Sequence, residues 1–128
     1  MSTLVRHAAW VLAVTFVISV AYELWRATAK AGTSRHDTMS NLVWGLVLYA
    51  VSAAVIVALF LGVGWAPWAG LVLSVGWILN SILYYNPTIM LERQPGVVDW
   101  IEDLFFTGLL FIAATMLFFE VLGMELVS

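Results

Sequence analysis

The 128-residue chain has no cysteine, which excludes disulfides, thiolate metal sites, iron–sulfur ligation and thiol nucleophiles together. Charge is scarce as well. Five basic and eight acidic residues make up 10% of the chain, where a soluble domain carries roughly 25%. So few ionic side chains cannot clothe a water-exposed surface of this size. A formal net charge of −3 offers nucleic acid nothing to hold, and no nucleic-acid partner is expected. Histidine occurs only as His7 and His36. There is no H-E-x-x-H pattern, no Ser–His–Asp set and no glycine-rich phosphate loop, so the reading leans away from an enzyme without closing that question, and no metal and no cofactor are expected.

What fills the chain instead is apolar. It is 63% hydrophobic, with a mean hydropathy of +1.01. Four long apolar runs, 8–29, 41–63, 67–85 and 98–122, are each about as long as the ~20 residues a helix needs to cross a hydrocarbon core. Alternating segments of ~10 residues, the mark of a membrane barrel, are missing. Open strands would leave unpaired amides in lipid. The expected fold is therefore all-α: a polytopic integral membrane protein, an up-and-down bundle of four transmembrane helices, with residues 1–128 as a single membrane domain. Trp10, Trp25, Trp44, Trp65, Trp68 and Trp100 fall near the ends of these runs, as in the aromatic belt of a membrane–water interface, whereas Trp77 lies inside its run.

The boundaries have local causes. Gly32 is a stop after the first run, and Asp37, Thr38 and Ser40 are natural caps for the second. Gly62 and Gly64 end the second run, and Pro67 suits the first turn of the third, where no amide donor is needed. Asn86–Pro87 is expected to end the third span, because proline disfavours a helical residue before it. Residues 88–94 then form a short mixed stretch, interfacial or re-entrant, before Pro95–Gly96. Arg26, Lys30 and Arg35 in the first loop and Arg93 in the third assign loops 1 and 3 to the cytoplasm, with both termini outside a multi-pass cell membrane. The first span is read as retained, serving also as insertion signal. The two histidines then lie on opposite sides of the membrane and cannot jointly ligate a haem or metal within one bundle.

Threading the chain up and down aligns depths that are far apart in sequence. Glu23, Asn80, Glu102 and Asp103 all fall roughly 6–8 Å inside the same end of their spans, at about 1.5 Å per residue, with Arg26 and Tyr84 nearer the surface. Two readings are open. In one, Glu23 pairs with Arg26 a turn away, and Asp99, Glu102 and Asp103 complement the positive end of the fourth helix. In the other, Glu23, Arg26, Asn80, Tyr84, Glu102 and Asp103 form a shared site for a cation, a proton or a polar headgroup, since ionisable groups inside a membrane tend to be functional. Small residues at helical spacing (Gly70 and Ser74, Gly76 and Asn80, Gly45 and Ser52, Gly108 and Thr115) suggest close helix packing, within the bundle or between copies.

The run Tyr84-Tyr85-Asn86-Pro87, followed by Trp100-Ile101-Glu102-Asp103-Leu104-Phe105-Phe106, resembles the small membrane-bound lycopene cyclase subunits. Those carry an aromatic-Asn/Asp-Pro turn and then Pro-Ile/Leu-Glu-Glu leading into Phe-Phe. Here Trp100 stands in place of the proline and the gap differs slightly, and the resemblance is confined to residues 84–106. It implies that Glu102 or Asp103 protonates a polyene.

The leading expectation is a non-enzymatic accessory or structural subunit of a membrane complex or homo-oligomer. Its acidic layer near the cytoplasmic leaflet would bind lipid or a partner, so its partners are membrane lipids and other membrane subunits or copies of itself. One alternative is a small oligomeric transporter or channel for a cation, a proton-coupled solute or a hydrophobic compound, using Glu23. Another is an isoprenoid- or lipid-active enzyme with Glu102 or Asp103 as proton donor.

Overall fold

A computed structural model of the protein describes residues 3–32, 34, 36–93 and 95–123. Arg35, Gln94 and the tail from 124 onward lie outside the described residues. Four helices among the described residues are long and apolar enough to cross a membrane, which makes the chain an all-α, multi-pass membrane protein by length and composition.

The first helix, α1, spans Thr3–Thr28. It begins ahead of the expected residue 8 because Leu4 and Val5 are buried against the bundle while Arg6 and His7 stay exposed. The chain then turns at Gly32, whose φ of 84° suits glycine and whose N–H donates to the Asp37 carbonyl at 2.9 Å. The second helix, α2, spans Met39–Phe60, capped by Thr38, whose Oγ1 accepts from the Asn41 N–H at 3.1 Å. Asp37, expected to share that capping role, is instead wholly buried and turned to arginine. Gly62 (φ 73°) closes α2, its N–H and that of Val63 returning to the carbonyls of Leu59 and Ala58.

The third helix, α3, spans Ala66–Asn80, with Pro67 in its first turn. It does not stop at Asn86–Pro87. It continues as a π-helical segment, Ser81–Met90, with Pro87 inside it, so the third apolar helix runs Ala66–Met90 rather than ending at residue 85. In a regular α-helix the Pro87 ring would clash with the Leu83 carbonyl and leave it without a donor. The wider π turn bonds i to i+5 and relieves that conflict. Much of the stretch expected as a separate interfacial piece, from Thr88 on, is therefore the end of this helix. The fourth helix, α4, spans Val97–Val121.

α1 packs on α2 and α4, and α3 packs on α4 and more loosely on α2, so helices adjacent in sequence are adjacent in space. At mid-height each helix contributes one aromatic ring. Phe16 sets its edge against Tyr49, Trp77 and Phe106 at 6.2, 5.4 and 5.8 Å, and Tyr49 stacks on Trp77 at 5.7 Å. Such pairs add about 0.5–1.5 kcal/mol each beyond the area they bury. The indole N–H of Trp77 donates to Ser52 Oγ at 3.0 Å, which explains a tryptophan so far from a helix end. Toward the α2–α3 turn the core is small and aliphatic. A methyl added at Gly70 would lie 2.9 Å from Leu117 Cδ1 and 3.2 Å from Leu59 Cδ1, so this glycine permits a close approach. Gly45, Gly76 and Gly108 differ, since nothing lies within 4 Å of an added methyl.

Candidate functional site

The first and third loops meet at one end of the bundle through two buried arginines. Arg26, 2% exposed, grips Asp37 with both arms of its fork: Nε to Oδ1 at 2.8 Å and Nη2 to Oδ2 at 2.6 Å. Its Nη1 reaches Asp99 Oδ1 at 3.3 Å, and Nη2 also donates to the Arg93 carbonyl at 3.0 Å. Arg93, 1% exposed, holds Glu23 bidentately, Nη1 to Oε1 at 3.0 Å and Nη2 to Oε2 at 2.8 Å. It also donates to Tyr85 Oη at 2.9 Å and to the His36 carbonyl at 3.3 Å. Its Nε lies 3.2 Å from Asp37 Oδ1, an ionic contact without hydrogen-bond alignment. Burial works against the Arg93 charge, but the hydrogen bonds and charge of Glu23 outweigh it and hold the guanidinium above its ordinary range.

Around this pair the remaining acceptors are satisfied. Ser34 Oγ donates to Asp37 Oδ2 at 2.8 Å, and Tyr22 Oη donates to Asp99 Oδ1 at 2.5 Å. The Gly96 N–H reaches Asp99 Oδ2 at 2.8 Å, so Asp99 both caps α4 and ties it to α1. His36 Nε2 meets Glu92 Oε2 at the rim. Two guanidinium groups and three carboxylates thus interlock four segments of chain. The planar fork of arginine suits such bidentate, desolvated pairing better than lysine does.

The expected pairing of Glu23 with Arg26 does not occur. Arg26 turns toward the first loop and α4, whereas Glu23 turns toward α3 and finds Arg93. A buried carboxylate is satisfied by the donor that its helix face meets, and sequence proximity does not decide this.

Beside the ionic cluster, above the aromatic layer, lies a cavity of about 200 Å³. Five of the six residues singled out from the sequence line it: Glu23, Asn80, Tyr84, Glu102 and Asp103. Arg26 does not, because its partners hold it on the loop side. Ser81, Tyr85 and Ile89 of the π-helical segment also face the cavity, joined by Arg93. The rim residues Asn41, Leu48, Asn80 and Tyr84 are exposed, so the mouth opens sideways between α2 and α3. A shallower groove lined by Leu48, Val72, Leu73, Gly76, Trp77 and Asn80 shares that rim.

The cavity's carboxylates are not equivalent. Arg93 occupies both oxygens of Glu23. Asp103 accepts from Ser81 Oγ and Asn86 Nδ2, each at 3.3 Å. Glu102 alone has no hydrogen bond or ion pair among the described residues. Sequence reasoning missed Arg93 and Tyr85 as site residues and Asp37 as their counter-ion. The signal available was the third-loop arginine, which threading brings to the same end of the bundle as Glu23. Among the described residues no group of three His, Asp or Glu side chains is arranged to hold a metal ion. Comparison of the chain with protein-family models, with curated proteins and with solved structures returns no match.

Proposed function

We propose that this chain is a small, non-enzymatic multi-pass membrane protein that takes the polar end of a lipid or other amphiphile into the cavity between α2 and α3. The observation that carries this reading is the sideways mouth. A mostly apolar cavity of about 200 Å³ that carries several charged and amide groups, opens through the wall of the bundle and leads into an apolar groove fits a molecule with a polar head and an oily tail. In the orientation read from the basic loops, the cavity sits at the level of the cytoplasmic leaflet.

An accessory role in a membrane complex fits the same arrangement. The outward face of α2, with Val43, Trp44, Val47, Val51 and Val57 exposed, suits lipid or a neighbouring membrane helix. Transport coupled to Glu23 has less support, because Arg93 already neutralises that carboxylate.

The test uses Gly45, which lines the cavity and has open space around an added methyl. Gly45→Phe is expected to fill the cavity, since the first carbon of the new side chain meets nothing within 4 Å. In native mass spectrometry from mild detergent, the wild type is expected to retain a bound phospholipid or amphiphile that the variant has lost. Equal retention by both proteins would overturn the reading.

A further inference from the structure

Resting on that cavity reading, we infer that the ligand's head is an ammonium group, with Glu102 as its counter-ion. Charge complementarity is the argument. Three carboxylates and one guanidinium line the cavity. The guanidinium of Arg93 is spent on Glu23 and Tyr85, so it offers nothing to an incoming phosphate or carboxylate. Asp103 is held by Ser81 and Asn86, and Glu102 remains with no partner among the described residues. An anionic head would meet Glu102 and Asp103 there, with the one guanidinium already engaged. A neutral head would leave Glu102 without an ionic partner in a site walled by Tyr49, Trp77 and Phe106.

An alkylammonium satisfies both parts of the site. Its N–H groups reach Glu102 and the rim amide of Asn80, and the faces of the lining aromatic rings favour a cation. Its chain leaves along the groove of Leu48, Val72 and Leu73. A bare metal ion fits less well, since a second or third free carboxylate is missing. The same chemistry has two sources: the amine of a membrane lipid headgroup, or a free amphiphilic amine.

The experiment compares octylammonium, octanol and octanesulfonate, matched in chain length, as stabilisers of the full chain in phosphatidylglycerol nanodiscs against thermal unfolding. Each is titrated into wild type, Glu102→Gln and Gly45→Phe. Glu102→Gln keeps the side-chain shape and removes no hydrogen bond, so the variant is expected to fold. In the wild type, octylammonium is expected to bind at least about tenfold more tightly than octanol, the range of one charge-assisted hydrogen bond, with octanesulfonate weakest. Glu102→Gln should erase the difference between octylammonium and octanol while retaining both, and Gly45→Phe should lose all three. A second arm replaces part of the phosphatidylglycerol with phosphatidylethanolamine. If that alone stabilises the wild type and not Glu102→Gln, the headgroup is the source; if only added octylammonium does, a free amine is. Equal binding of octanol and octylammonium to the wild type overturns the ammonium inference and leaves the cavity reading standing. Identical behaviour of wild type and Gly45→Phe toward all three overturns the cavity reading itself.

Discussion

Removing the Arg93 guanidinium should unravel the loop end of the bundle. The side chain is 1% exposed and serves Glu23, Tyr85 and the His36 carbonyl with hydrogen bonds, and Asp37 with an ionic contact at 3.2 Å. Arg93→Met preserves much of the volume but leaves Glu23 facing the cavity uncompensated and Asp37 with Arg26 as its remaining cation. Breaking a buried pair from one side costs about 3–5 kcal/mol, and with the Glu23 side chain 18% exposed the lower part of that range is expected. Arg93→Lys keeps the charge and loses the fork, so it reaches Glu23 or Asp37 but not both, at a cost of about 1–3 kcal/mol. Adding Glu23→Gln to Arg93→Met should recover part of the loss, with a coupling of about 0.5–3 kcal/mol in a double-mutant cycle. The assay is equilibrium unfolding in mixed micelles followed by far-ultraviolet circular dichroism, with the exposed Arg6→Gln as a control within about 0.5 kcal/mol of wild type. If Arg93→Met falls within about 1 kcal/mol of wild type, the value of an exposed ion pair, the cluster is not the desolvated lock described above.

Other substitutions probe the packing by the same assay. Gly70→Ile drives side-chain atoms into Leu117 and Leu59 and should cost about 1–3 kcal/mol, whereas full stability would mean that α3 does not approach α2 and α4 so closely. Gly108→Ala adds a methyl into open space on α4 and should gain up to about 1 kcal/mol from helix propensity; a loss would show that this face is occupied. Trp77→Phe forfeits the hydrogen bond to Ser52 and should cost about 0.5–1.5 kcal/mol, together with the loss of a fluorophore sensitive to cavity ligands.

Hydropathy alone made the four spans legible, because a bilayer leaves helices few ways to satisfy their backbone. Depth counting placed Glu23, Asn80, Glu102 and Asp103 at a common height with Tyr84 nearer the surface, and all five line one cavity. Counting residues works where helices are straight and alternate in direction. It fails where local rules meet tertiary demands. Pro87 reads as a terminator, but a π-helical segment absorbs it and extends the third helix to Met90. Asp37 reads as a cap, but Thr38 performs that task and frees Asp37 to bridge two arginines. Arg93 reads as a charge of a cytoplasmic loop, and Arg26 as either a loop charge or part of the shared site, yet both are buried in one ion cluster. Periodicity says nothing about where a loop folds back. The carboxylate partners of Arg26 and Arg93 lie 11 to 73 residues away along the chain, beyond any local pattern.

The loop-end ion cluster occupies Glu23 and leaves Glu102 lining a cavity that opens between α2 and α3. The most direct test is nuclear magnetic resonance of the labelled protein in nanodiscs, with octylammonium added and intermolecular contacts recorded. Cross-peaks are expected from the ligand methylenes to Leu48, Leu73 and the Trp77 ring, together with a shift of the Glu102 carboxyl carbon. Contacts confined to the outward faces of α2 and α4, such as Val43 and Phe105, with Glu102 unmoved, would contradict this placement.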